Sequence, residues 1–239
     1  MKTLKLHRWD LSYKKAVELQ RQLAEKVRFV PMTKKVRIIA GLDCAFSKDG
    51  KKIFAAAVVM KRPDFEVIEV RDACLEVHFP YVPGLLSFRE APVCIAAVGK
   101  LRTEPDIFII DGQGIAHPRR LGLASHLGLF FDRPTVGCAK SPLTGIYEEP
   151  PLQKGASTLL KDKSITSHER RAASNEIIGV VLRTRTNIKP VFVSVGHKCR
   201  LKDAVEIVLA CTTQYRLPEP TRLAHQIVSK IKVSRASCP

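Results

Sequence analysis

Two aspartates sit where an acid is hard to keep. Asp43 lies in the apolar run that begins Ile38-Ile39-Ala40-Gly41-Leu42, and Asp111 directly follows Ile107-Phe108-Ile109-Ile110. A carboxylate inside or at the end of a buried strand is costly unless it is paired or holds a cation. One such residue alone reads as an ordinary turn aspartate. Two at the ends of separate strands converge wherever those strands adjoin, and that favours a functional pair. Glu90 leaves two readings open. Ser87-Phe88-Arg89-Glu90 matches a capping box, in which the glutamate only satisfies a helix N-terminus. Pro92 speaks against it, since a helix capped by Ser87 would lose a hydrogen bond there. The alternative is metal ligation. Hard carboxylate oxygens without clustered cysteines point to Mg²⁺, with Mn²⁺ as a substitute, rather than to zinc. Such an ion activates water and stabilises charge developing on a phosphate. Lys140, at the end of Pro134–Ala139, can set a cation against that phosphate, although most lysines are simply solvated.

Gly112-Gln113-Gly114 follows a strand but matches a dinucleotide fingerprint poorly, because His117 occupies the third glycine position and Pro118 follows. The glycines suit a close approach of backbone to a ligand. His117, Arg119 and Arg120 then fall at a strand–helix junction suited to phosphate, with a solvated basic loop as the other reading of the two arginines.

The elements that must hold these residues follow from periodicity. Ser12–Val27 reads as an amphipathic helix on Ala16, Leu19, Leu23 and Val27. Strands are predicted at Val36–Phe46, Ile53–Met60 and Phe65–Val77, with Asp49-Gly50 and Arg62-Pro63-Asp64 as turns, so these three pair as antiparallel neighbours. Pro80-Tyr81-Val82-Pro83-Gly84 is excluded from regular helix or central strand by its two prolines. A helix over Phe88–Leu101, a strand over Asp106–Ile110, a helix over Arg119–Leu129 and a strand over Pro134–Ala139 give parallel pairing with a right-handed crossover. Strands near Ser157–Leu160, Glu176–Thr184 and Pro190–Ser194 and helices over Leu201–Thr212 and Glu219–Ile231 complete the chain. The expectation is an α/β fold, a central mixed β-sheet flanked by helices, in one domain spanning residues 1–239. Lys161–Ser174 reads as an exposed basic loop or insertion, and Ser234–Pro239 as a frayed tail.

Composition bounds the partners. The chain carries 40 Lys plus Arg against 23 Asp plus Glu, a net charge of +17, which attracts polyanions, nucleic acid before anionic membrane. Its apolar runs are too short to span a bilayer, and no apolar signal core follows the charged N-terminus. A cytoplasmic monomer without membrane contact is expected. The seven cysteines form no CxxC pair and no disulfide framework, so reduced, mostly buried thiols are expected.

Taken together, Gly41-Leu42-Asp43, Pro80-Tyr81-Val82-Pro83-Gly84-Leu85-Leu86-Ser87-Phe88-Arg89-Glu90, Asp111-Gly112-Gln113-Gly114 with His117-Pro118-Arg119-Arg120, Val136–Ser141 and Arg216–His225 resemble the endonuclease V family, in family order and over nearly the whole chain. The resemblance implies a ribonuclease H-like fold and Mg²⁺-dependent hydrolysis of the second phosphodiester 3′ to a deaminated base, with hypoxanthine first and uracil and xanthine as further lesions. The products would carry 3′-hydroxyl and 5′-phosphate ends. The same resemblance assigns metal binding to Asp43, Glu90 and Asp111, and catalytic places to His225 beside the metal and Lys140 near the attacking water. It makes Pro80–Pro83, with Tyr81, a wedge between strands. Gly84, Leu86, Gly112, Gly122 and Leu143 become the pocket of the flipped base, and Pro83, His117 and Arg119 join the substrate-binding set. Val82 stands where the family commonly has isoleucine. Lys161–Ser174 is longer than the usual hairpin, and its Lys161, Lys163, Arg170 and Arg171 offer further phosphate contacts.

DNA is the expected partner, with inosine-containing RNA as the alternative substrate. Three rivals are distinguishable. Another ribonuclease H-like, structure-selective nuclease would need the acids but no base pocket. A silent nucleic-acid binder would require broken chemistry. A glycosylase would cut the base–sugar bond without this acid set.

Overall fold

The structure, a computed structural model, describes residues 1–162 and 176–236. Along the chain run α1 (Tyr13–Ala24), β1 (Ile38–Phe46), β2 (Lys52–Lys61), β3 (Glu66–Glu76), α2 (Leu86–Gly99), β4 (Ile107–Ile110), α3 (Leu123–Phe131), β5 (Thr135–Ala139), β6 (Ser157–Lys161), β7 (Ile177–Leu182), β8 (Val191–His197), α4 (Leu201–Ala210) and α5 (Glu219–Ala236). The strands form one mixed sheet in the order β3-β2-β1-β4-β5-β8-β7-β6. The predicted meander is present: β1 pairs antiparallel with β2, and β2 with β3. The crossover is present too, since β1, β4 and β5 run parallel. Beyond them β8, β7 and β6 pair antiparallel.

Because side chains alternate along a strand, one sheet builds two cores. Ile39, Ile107, Ile109, Val136 and Val193 pack with Leu23 of α1 and Ala204 and Val208 of α4 on one face. Ala40, Leu42, Phe108 and Ile110 pack with Ala91, Cys94 and Ala97 of α2 and Ala124 and Leu127 of α3 on the other. The long α5 covers the meander on the α1 side, where Phe54, Ala56 and Val228 meet, as do Val58, Met60 and Ala224.

Several boundaries move from the sequence reading. The third helix begins at Leu123 rather than Arg119, because the chain first turns through Arg120 at φ 57° and reaches the N-cap at Gly122. β8 runs on to His197, and α5 extends to Ala236. α2 starts at Leu86 with Leu85 as its N-cap and no side-chain cap. The capping box is therefore absent. Ser87 lies inside the helix and its hydroxyl bonds His126 instead. Pro92 is accommodated within this helix.

Six cysteines, 44, 74, 94, 138, 199 and 211, are free thiols, and four of them are buried; Cys238 lies outside the described residues. Of the basic stretch Lys161–Ser174, all beyond Asp162, with Lys163, Arg170 and Arg171, also lies outside them. No helix among the described residues is long and apolar enough to cross a membrane.

Candidate active site

The parallel register of β1 and β4 puts Leu42 beside Ile110, so the next residues, Asp43 and Asp111, emerge side by side. The Asp111 N–H donates to Leu42 O at 3.1 Å and closes the strand ends together. Both acids follow the odd-numbered positions of their strands, which face α5. That helix is seated unusually close. A β-carbon on Gly41 would stand 2.1 Å from the Pro220 carbonyl, so only glycine lets the start of α5 meet β1. Two turns into α5, His225 donates from Nδ1 to Asp43 Oδ2 at 2.6 Å. From the end of β5, Lys140 Nζ reaches Asp111 Oδ2 at 2.5 Å. Ligand atoms of Asp43, Asp111 and His225 all fall within 4.8 Å of one another.

The electrostatics follow from this crowding of acids. Burial, then the Asp111 charge, raises the Asp43 carboxyl above its ordinary value. Glu90, brought up by α2 on the opposite face, lies outside the 4.8 Å group, yet burial and the Asp43 charge push it up to about 8. Three mutually repelling carboxyls with one ammonium against them are the environment that a hard divalent cation relieves. The donor set fits Mg²⁺ or Mn²⁺.

Beside the carboxyls opens a cleft of about 450 Å³. Its walls include Tyr81, Pro83, Gly84, Leu86, Gly112, His117, Gly122 and Leu143, together with Asp43, Glu90, Asp111 and Lys140. The cleft is thus lined by every residue of the sequence-predicted site except His225, which meets Asp43 from the α5 side, and Arg119. Gly84 has φ +76°, a conformation that glycine adopts without strain. A larger hollow of about 740 Å³ under Trp9, Phe79 and Phe88 shares no residue with this cleft and lies away from the acid pair, so its size does not make it the site.

His117 and Arg119 are placed differently from the phosphate-facing reading. His117 is buried; its Nε2–H donates to Gly84 O at 3.0 Å and its Nδ1 accepts from the Arg119 N–H. Burial, then the Arg119 charge, lowers it to about 4, which keeps it neutral. Arg119 donates to the same carbonyl at 2.7 Å and to Gln20 Oε1 at 2.5 Å, while Gln20 donates to Gly84 O and Leu121 O. These side chains bracket the Gly84 loop from behind. Arg120 is held by Asp162 at 2.5 Å and Glu176 at 2.7 Å, and so is committed to the protein.

Sequence reasoning named Gln113 only as a residue between glycines. Its Nε2 donates to Ser141 O at 2.9 Å and ties two walls of the cleft together, while its Oε1 finds no partner among the described residues. A lone amide in a loop carries no periodic signal by which to find it. Tyr81 projects from the cleft rim, 68% exposed, with the Arg89 guanidinium 6.0 Å from its ring.

A mixed sheet of this order, with acids on adjoining central strand ends, is a ribonuclease H-like architecture. The Endonuclease V family model matches residues 21–226. Endonuclease V of Methanothrix thermoacetophila is 48% identical over 220 residues, 92% of this chain and 92% of that protein. The crystal structure of Endonuclease V from Streptomyces avermitilis superposes with a TM-score of 0.86 at 38% identity over 96% of each chain. That of Ciona intestinalis Endonuclease V, in complex with a 24mer DNA containing an inosine followed by a ribo-adenosine, gives 0.76 at 27% identity, over 93% of this chain and 98% of that one. The chain belongs to the endonuclease V family of metal-dependent nucleases, which hydrolyse phosphodiester bonds.

Proposed function

We propose that this protein is a Mg²⁺-dependent DNA repair endonuclease. It recognises a deaminated base, hypoxanthine first, and hydrolyses the second phosphodiester bond 3′ to it. The observation that carries this reading is the junction of two features: two carboxylates and His225 spaced for a cation, and a cleft of about 450 Å³ at their side. A nuclease that cuts without regard to bases has no use for the second. Ciona intestinalis Endonuclease V, seen on inosine-containing DNA, supports the same substrate class. The ribo-adenosine in that ligand favours inosine-containing RNA as a second substrate.

Asp43, Asp111 and Glu90 would hold the ion, which when bound supplies Lewis acidity to the scissile phosphate. The chain's own groups do the rest. Lys140 sets its ammonium beside the carboxylates, where it draws a phosphate oxygen in and offsets charge as the phosphorus gains a fifth oxygen. Asp43 fixes the Nδ1–H tautomer of His225, leaving Nε2 to take the proton of the attacking water. Water oxygen bonds to phosphorus, the bond from phosphorus to the 3′-oxygen breaks, and that oxygen gains a proton. A 3′-hydroxyl and a 5′-phosphate result. The lesion base, extruded more cheaply when mispaired, rests in the cleft between Gly84, Leu86 and Leu143. These groups sit on strand ends, helices and loops packed around one sheet, which supports a single domain.

The test is an end-labelled duplex with one inosine or with adenine in its place, in Mg²⁺ or EDTA, run against a sequencing ladder. The expected result is one Mg²⁺-dependent break, at the second bond 3′ to inosine, ligatable at both ends. Cleavage scattered over both duplexes, or cleavage persisting in EDTA, would overturn the proposal.

A further inference from the structure

Behind the cleft wall runs a chain of hydrogen bonds, half-buried at His7 and buried at Ser87, that the hydrolysis does not use. His7 Nδ1 is 2.8 Å from Arg8 O, His7 Nε2 is 2.9 Å from His126 Nε2, and His126 Nδ1 is 3.1 Å from Ser87 Oγ. His126 is 0% exposed and Ser87 3%. Ser87 also lines the cleft, between the pocket residue Leu86 and Glu90. Among the described residues its hydroxyl takes no partner but His126.

The direction of this chain can be worked out one atom at a time. A carbonyl only accepts, so His7 Nδ1 carries a hydrogen. Burial lowers the pKa of His7, and burial with the His7 charge lowers that of His126 to about 3, so both rings are neutral at pH 7. A neutral imidazole has one N–H. His7 Nε2 is then an acceptor, His126 Nε2 the donor to it, and His126 Nδ1 an acceptor. Ser87 must give its only hydrogen to His126. What remains at Oγ is lone pairs.

We infer that Ser87 Oγ is a specificity-determining acceptor in the cleft, held in that polarity by His126 and His7, and that it accepts the ring N–H of the extruded base. Deamination changes that atom. Adenine N1 is a lone pair, whereas hypoxanthine carries N1–H; cytosine N3 is a lone pair, whereas uracil carries N3–H. An oxygen with no hydrogen to offer attracts the deaminated base and repels its parent. Guanine already has N1–H, so Ser87 does not separate xanthine from guanine. The inference rests on the cleft being the base pocket.

The experiment compares kcat/KM in Mg²⁺ on single-stranded oligonucleotides holding one deoxyinosine, one deoxyadenosine or one deoxynebularine, whose purine has a bare N1. Wild type should prefer inosine to both. Ser87→Ala should lose about tenfold on inosine, the worth of one hydrogen bond, and less than about twofold on nebularine. His7→Phe leaves the cleft untouched and keeps a ring against Trp9, Phe88 and Phe130. Without an acceptor beside it, His126 shifts its hydrogen to Nδ1, donates to Ser87 and turns the hydroxyl hydrogen to the cleft. The inosine-to-nebularine ratio should fall at least about threefold. Equal losses on both bases in Ser87→Ala, or an unchanged ratio in His7→Phe, would overturn the inference while leaving the base-selective reading standing. A wild type indifferent among the three bases would overturn both.

Discussion

Asp43, Glu90 and Asp111 show how one residue type acquires chemistry from where the chain puts it. Each is an ordinary acid in sequence, and Asp43 and Glu90 become expensive in place, Glu90 most visibly, with its carboxyl pushed up to about 8 by burial and by Asp43. The sign of the consequence is fixed. A folded-state pKa raised above the ordinary 4.5 contributes stability at low pH that is lost as pH climbs through about 8. Metal-free wild type should therefore lose thermal stability across that window more steeply than Glu90→Gln. In EDTA at pH 8 the variant should melt at least about 2 °C higher, roughly what 1 kcal/mol is worth in a chain of this size. Parallel melting curves from pH 5 to 8 would show that Glu90 is not held against its charge. The two aspartates were legible as interrupted apolar runs. His225 was not, except through family resemblance, because a histidine on an amphipathic helix looks the same whether it faces solvent or a strand end. Arg119 and Arg120 misled for the opposite reason: arginines near glycines suggest phosphate, whereas the Gly84 carbonyl and two distant acids claim them.

At the scale of elements, the site depends on how closely α5 approaches β1. Gly41→Ala would drive a methyl group into the Pro220 carbonyl. Overpacking of this kind costs about 1–3 kcal/mol, and the displaced helix carries His225 off Asp43. Cleavage should drop about a hundredfold, the effect of a small misplacement of reacting groups, with a lower melting temperature by calorimetry. Unchanged rate and melting would mean that the contact is slack. Tyr81 depends on its segment in another way. Two prolines hold it extended and little entropy is lost when it meets a duplex. Tyr81→Ala should slow cleavage of inosine in duplex DNA about tenfold, the value of one stacked base, and in single strands less than about threefold. Equal losses in a paired rate comparison would remove the wedge role. The antiparallel meander and the parallel crossover were readable from alternation and turn signals, whereas the order of the whole sheet was not. The start of α2 was not, since Ser-x-x-Glu is a cap only if the helix begins after the serine, and burial of Leu85 and Phe88 begins it earlier.

The whole molecule contributes charge. At +17, it should bind any duplex, with affinity falling steeply between 50 and 200 mM salt as counterions are released (roughly a thousandfold for six phosphate contacts). Inosine preference, which comes from the cleft, should survive that titration; its disappearance while binding persists would contradict a base pocket. Charge was legible from composition alone, but composition does not say which face bears it or what the bound strand undergoes. Binding and cutting are thus separable functions of one surface, and their separation gives the most direct test of the account. Asp43→Asn and Asp111→Asn each remove one hard ligand and leave the basic surface intact. Single-turnover cleavage of an inosine duplex in Mg²⁺, measured beside the dissociation constant of the same duplex, should show a loss of at least about a hundredfold in rate, with affinity within a few-fold of wild type and normal melting. Near-normal turnover by either folded variant would contradict the assignment of the carboxylate cluster as the catalytic metal site.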